Sequence, residues 1–288
     1  MEDYYGIFAK KPVFEGLSQW RQTPNYELAG RRFELVMDTL PVCRADFLSG
    51  TRILWDDGKE VRRAACACAK IDNATYLVNF EYREGTVRVN PCLVLDLEQR
   101  LVTLVITQVG YSVKYPTMTG ADYYFGAIRE EGMPLPSIRH DYTGDFVGKR
   151  ICWHYSPDFR IIHVYYSSDA IRITFPPEVL RMMRETPVEK LVPDAYDYVV
   201  NGYDEPTRYI KIKEKIYLVN SCEQHKGMRA LSGNSMLFLM DIERVHDVGR
   251  SFGYAGDHKT PENYMFAAHG EFVYSDGGVE THESPYLY

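Results

Sequence analysis

The tetrapeptide YLVN stands at residues 76–79 and again at 217–220, each time inside an apolar, β-rich stretch of this 288-residue chain. Four residues can coincide by chance, so the neighbours decide. Upstream of the first copy lies ELAGRRFELVMD (27–38), and upstream of the second lies DFVGKRICWHYS (145–156). Both place an apolar residue, a glycine and two basic residues ahead of an alternating strand. Downstream, LVLDLEQRLVTLV (93–105) and LFLMDIERVHDVG (237–249) each carry an apolar strand, an Asp, an apolar residue and a Glu. VGYS (109–112) then matches FGYAG (252–256), and YYFGAI (123–128) matches NYMFAA (263–268). Blocks that recur in one order are the signature of an internal duplication. The boundary is placed at about residue 140, inside the linker-like EEGMPLPSIRHDYTG (130–144), giving units 1–140 and 141–288.

Within each unit, short runs such as RFELVMD, TYLVNF, RIIHVYY and YIKIKEKIYLV alternate with period two between Gly, Asp, Asn and Pro signals. This is the grammar of an antiparallel sheet closed on itself, since closure removes the exposed edges that many short strands would otherwise leave. The fold class expected is all-β: two small antiparallel β-barrels in tandem, with little helix. PPEVLRMMRET (176–186) is the one helical candidate, with proline at its start and Val179, Met182 and Met183 at helical spacing.

Composition narrows the partners. Hydrophobic content of 45% with 25% charged residues is that of a folded protein. A net charge of −7 argues against nucleic acid, whose phosphates call for a basic surface. MEDYYGIFAKK (1–11) lacks the apolar core of a secretory signal, no stretch approaches the ~20 apolar residues of a membrane span, and a cytoplasmic location without membrane association is expected. Six cysteines without a CxxC pair suit reduced thiols. Cys66 and Cys68 share a strand face as small core residues. No HxH or HExxH spacing occurs, so neither a metal nor another cofactor is expected, although a barrel could assemble ligands from separate strands.

The segments DFVGKRICWHYSPDFRIIHVYY, IYLVNSCE, LMDIERVHDVGRSFGYAG and NYMFAAHG resemble the C-terminal domain of MoaF-like proteins, and the first half resembles the corresponding N-terminal domain. The resemblance implies calycin-type, lipocalin-like barrels over nearly the whole chain. The second half is also similar to phenolic acid decarboxylases, in which two tyrosines on the first strand and a glutamate after a later strand act without a cofactor. Carried over, the tyrosine pair falls on Trp153 and Tyr155 and the glutamate on Glu223, so the first tyrosine is not kept. That family's arginine would fall near Val200; Arg172 and Arg208 are the cations close by.

The residues support a chemistry of their own. Alternation puts Trp153 and Tyr155 on one face, with Cys152 and His154 on the other. In the second YLVN strand Tyr217, Val219, Ser221 and Glu223 share a face. A carboxyl in such an aromatic cavity has a raised pKa and suits general acid or base work. Glu223 and Tyr155 are therefore the expected catalytic pair, with Trp153, Tyr217, Ser221, Arg172, Arg208 and His225 expected to bind substrate. The first unit has Leu35 and Met37 where the second has Trp153 and Tyr155, and its Glu81 falls out of phase. A structural, lid-like or dimerising role follows for that unit, a homodimer being the assembly it allows. The function expected is cofactor-free acid-base chemistry of lyase or cyclase type on a small aromatic or conjugated carboxylate. The alternatives are a binding protein for an aromatic small molecule or a scaffold in a biosynthetic pathway.

Overall fold

The computed structural model describes residues 20, 22–157, 159–177, 202–222, 233–254, 259–273 and 279–280. All regular elements whose bounds it fixes are strands. The first sheet holds β1 (Arg32–Met37), β2 (Cys43–Ser49), β3 (Arg52–Asp56), β4 (Val61–Lys70), β5 (Thr75–Phe80), β6 (Tyr82–Glu84), β7 (Val87–Asp96), β8 (Leu101–Val109) and β9 (Thr119–Arg129). The second holds β10 (Asp141–Tyr142), β11 (Arg150–His154), β12 (Arg160–Val164), β13 (Ala170–Thr174), β14 (Tyr203–Lys213), β15 (Ile216–Cys222), β16 (Asn234–Asp241), β17 (His246–Tyr254), β18 (Pro261–Val273) and β19 (Val279–Glu280). In the first, neighbours run β5-β4-β3-β2-β1-β9-β8-β7, and a β5–β7 pairing closes an eight-stranded ring with β6 as an appendage of β7. In the second, β14-β13-β12-β11-β18-β17-β16-β15 closes through β14–β15, with β10 and β19 as appendages. Every pairing is antiparallel, so both rings are up-and-down barrels. The segment 178–201, which contains most of the helical candidate, lies outside the described residues.

The duplication extends to the hairpins and caps. Asp96 and Asp241 each accept the backbone N–H groups two and three residues on. Each turn then passes through a left-handed residue, Arg100 (φ 57°) and Val245 (φ 49°), a costly conformation for a β-branched side chain. That is why the Asp-apolar-Glu block recurs. Tyr76 of the first YLVN donates its hydroxyl to Glu27 Oε2 (2.6 Å), which also pairs with Lys70 Nζ (2.6 Å). Tyr217 of the second donates to Asp145 Oδ2 (3.0 Å), which pairs with Lys211 Nζ (3.1 Å). The bonds from Lys70 and Tyr76 hold the Glu27 carboxyl down at about 2. Tyr76→Phe and Tyr217→Phe should each cost about 1 kcal/mol of stability by urea denaturation, because each removes one hydroxyl from a partnered carboxylate while keeping the ring.

The other residues of YLVN explain why both copies are buried on both faces. Tyr76 and Val78 pack inside the first ring, and Tyr217 and Val219 inside the second. Leu77 and Leu218 point outward, into a third apolar cluster between the barrels with Val94, Val105, Leu239 and Val248. Each YLVN asparagine then crosses to the other barrel: Asn79 Nδ2 donates to Asn263 Oδ1 (2.8 Å), and Asn220 Nδ2 donates to the Tyr123 hydroxyl (2.8 Å). Arg250 of β17 is fully buried in this interface. It donates to Thr107 Oγ1 (2.6 Å) in the first barrel and to the Ser235 carbonyl (2.6 Å) and hydroxyl (3.1 Å) in the second. Arg88 of the first barrel clamps Glu81 through two bonds and reaches the carbonyls of Gly253 and Glu262.

Candidate functional site

Buried polar groups are distributed unevenly between the two interiors. The first is lined by Phe33, Leu35, Met37, Phe47, Trp55, Cys66, Cys68, Val78 and their neighbours. Glu81 faces away from it, into the ion pair with Arg88 between the barrels. The second contains Trp153, Tyr155, Tyr165, Tyr203, Tyr209, Phe238, Tyr264 and Phe266. It also buries His163, Glu205, Thr207, Ser221 and Asp247, which alternate with outward residues on their strands.

Local sequence places the aromatic wall. Trp153 of β11 lies opposite Gly270 of β18, where a Cβ would come within 2.8 Å of the indole ring. In the first barrel the equivalent pair is Leu35 and Ile128, so bulk has moved from one strand to the other. Trp153 Nε1 donates to the Tyr165 hydroxyl (3.2 Å), which also lies 3.3 Å from His163 Nδ1. Burial pushes the His163 imidazole down to about 3, leaving it neutral. Tyr155 follows on the same face as Trp153, with its ring against Phe266 and Phe159. Burial, with Asp247 next to it, holds its phenol well above the usual range.

Two carboxyls face this wall. Asp247 takes the Ala268 amide on Oδ1 (2.8 Å) while Oδ2 has no hydrogen-bond partner. Burial raises its pKa, against a lowering by the Ala268 amide. Glu205 sits in β14 between Tyr203 and Thr207 on the inward face. Burial raises its pKa to about 7, against a smaller lowering by a hydrogen bond with Ser221. It lies at the end of the ring where β13 leads to β14, β15 to β16 and β17 to β18. A carboxyl at that value is divided between acid and base forms near neutral pH.

Of the residues expected from the sequence, Trp153, Tyr155, Tyr217 and Ser221 face the second interior. Tyr217 is committed to Asp145 at the far end of β15 from Ser221; four residues of strand separate them by about 13 Å. Arg172 and Arg208 do not line the interior. Arg172 alternates with the inward Ile171 and Ile173 and pairs with Asp204 outside (3.2 Å). Arg208 alternates with Thr207 and Tyr209 and borders an external groove of about 380 Å³ with Tyr142, Thr143 and Asp169. Glu223 and His225 lie outside the described residues. Glu205, Asp247 and His163 are the chemistry-bearing residues that the sequence reading missed. Their signal was present, because each alternates in phase with an inward aromatic or aliphatic residue.

No helix among the described residues is long and apolar enough to cross a membrane. No curated protein matches the chain. Residues 13–110, which run through β1 to β8, match the family model described as MoaF N-terminal domain. The match falls on the first barrel, so the chain carries a MoaF N-terminal domain there, and the second barrel is built on the same plan.

Proposed function

We propose that the second barrel is a small-molecule site that performs cofactor-free acid-base chemistry of lyase type, with Glu205 as its proton-transfer group. The observation that carries this reading is a carboxyl with a pKa of about 7 on the inner wall of an aromatic barrel. Groups tuned toward neutrality by burial are suited to catalysis. Eight strands make a barrel of the size that can hold one small ligand. Tyr155 would orient the substrate, and the rings of Trp153 and Phe266 would stack on it.

The substrate class shifts from the one expected. A carboxylate would have to enter beside Glu205, which is in part ionised near neutral pH, while Arg172 and Arg208 face outward. An uncharged aromatic, such as a phenol or its conjugated ketone or ester, avoids that repulsion. The test is a panel of neutral and carboxylate-bearing aromatics read by quenching of Trp153 fluorescence, with Trp153→Phe as the control, followed by turnover assays on the binders. Neutral compounds should bind more tightly, and Glu205→Gln should keep binding while losing turnover. Binding without turnover of any binder would replace the enzyme by a carrier, and preference for carboxylates would overturn the substrate class.

A further inference from the structure

On the outer face of the second barrel, two neighbouring strands bring four metal-type donors into a square. Cys152 lies opposite Glu271 and His154 opposite His269, as successive cross-strand pairs of β11 and β18. Ligand atoms of Cys152, His154 and Glu271 lie within 4.8 Å of one another. The His154 Nε2 to Glu271 Oε1 distance is 3.0 Å. The His269 ring stacks on His154 at 5.0 Å, and Trp20 packs edge-on against His269 at 5.4 Å, covering the cluster from the outside. Cys152 is buried, and His154 and Glu271 are about one-fifth exposed (22% and 19%).

The first barrel supplies an internal reference. Its β1 and β9 hold the same place in the ring, and the equivalent pairs there are Glu34 with Arg129 and Val36 with Ala127. Glu34 and Arg129 form an ordinary ion pair at 2.6 Å. Where one copy of the fold has a salt bridge and two small apolar side chains, the other has a thiol, a carboxylate and two imidazoles. A generic strand seam therefore does not call for these residue types, and something specific to the second barrel does.

We propose that Cys152, His154 and Glu271, with His269 as the fourth donor, form a binding site for a divalent transition metal of the zinc type. Mixed sulfur, nitrogen and oxygen donors select such a cation over magnesium or calcium. Bond lengths of about 2.0–2.3 Å place tetrahedral donors roughly 3.3–3.8 Å apart, so separations of up to 4.8 Å have to close by about 1 Å, while the His154–Glu271 pair at 3.0 Å opens slightly as the ion displaces its bond. Arg160 lies opposite His154 on β12, on the edge of the square. The site would staple β11 to β18, the first and last strands of the ring, directly behind Trp153. It is separate from the proton-transfer groups inside.

The test is a titration of the full-length, chelator-treated protein with Co²⁺ and then Zn²⁺. One Co²⁺ per chain should bind, with thiolate-to-metal charge-transfer absorption and tetrahedral d–d bands, both displaced by Zn²⁺. Zn²⁺ should raise the unfolding midpoint, because a ligand held only by the native state stabilises it. Cys152→Ser should abolish the charge-transfer band while Cys66→Ser keeps it, and His154→Gln should weaken Co²⁺ binding by about tenfold or more. Absence of uptake, uptake without the thiolate band, or a band that survives Cys152→Ser would each overturn the proposal. Should Cys152→Ser fail to fold, Glu271→Gln carries the test, since unchanged affinity there also overturns it.

Discussion

Arg250→Ala is expected to destabilise the protein by about 3–5 kcal/mol. The side chain is fully buried between the two barrels, and its guanidinium binds Thr107 on one side and Ser235 on the other. Truncation strands the Ser235 carbonyl and the Thr107 hydroxyl in a buried interface, at about 1–3 kcal/mol for each unsatisfied group. It also leaves a cavity that the packed Leu77, Leu218, Leu237 and Val248 are too rigidly held to fill. Arg250→Met should be milder, since it restores volume and removes the cost of burying a charge. Because one residue satisfies both barrels, the loss should register in each. Urea unfolding read at Trp55 in the first barrel and Trp153 in the second should shift together. A loss below about 1 kcal/mol, or a shift at only one tryptophan, would mean that the guanidinium does not join the two.

The duplication could be read from sequence because each repeated block performs the same local task twice. Glu27 and Asp145 cap a tyrosine and lysine pair, Asp96 and Asp241 tie off a hairpin, and each YLVN puts two side chains in a barrel and two between barrels. Such tasks depend on neighbours within a strand or across a turn, and short-range pattern encodes them. The interface itself was not legible. Arg88 and Arg250 reach groups 143–174 residues away, and nothing in the local alternation distinguishes an outward arginine in water from one buried against another barrel.

The site shows the same division. Alternation placed Trp153, Tyr155 and Ser221 on inward faces, because one strand fixes all three directions. Arg172 and Arg208 lie near the family arginine only in sequence, and they face outward because they alternate with the inward Ile171, Ile173, Thr207 and Tyr209. Glu205 stands immediately before Pro206, a residue that weakens a strand assignment from sequence. The chain nevertheless continues through it, for Pro206 marks the point at which β14 exchanges β13 for β15 as its partner. Glu205 falls inside the strand for that reason, facing inward with Tyr203 and Thr207.

That position makes Glu205→Gln the most informative single variant. In the folded state its pKa lies at about 7 against a reference of 4.5, so the native protein holds this proton more tightly than the unfolded chain does. The sign follows from linkage: its contribution is fully present below pH 4.5 and is lost as pH rises through 7. The difference corresponds to about 3 kcal/mol. The profile of the whole protein does not display this alone. Asp247 acts in the same direction, whereas His163 and His140, both lowered to about 3 by burial, contribute stability above pH 6.5 that is lost as pH falls. Subtracting the wild-type curve from that of Glu205→Gln removes the shared groups. The variant should therefore gain about 3 kcal/mol on the wild type between pH 4 and pH 8 in urea unfolding, and parallel curves would mean that the carboxyl titrates as it does in water. Turnover is the second, separate readout. With a substrate in hand, the same variant should lose about 100-fold or more in turnover, together with the limb of the rate profile near pH 7. A stability difference that varies with pH as described, beside unchanged turnover, would leave Glu205 a buried acid of the barrel wall and assign proton transfer to another group.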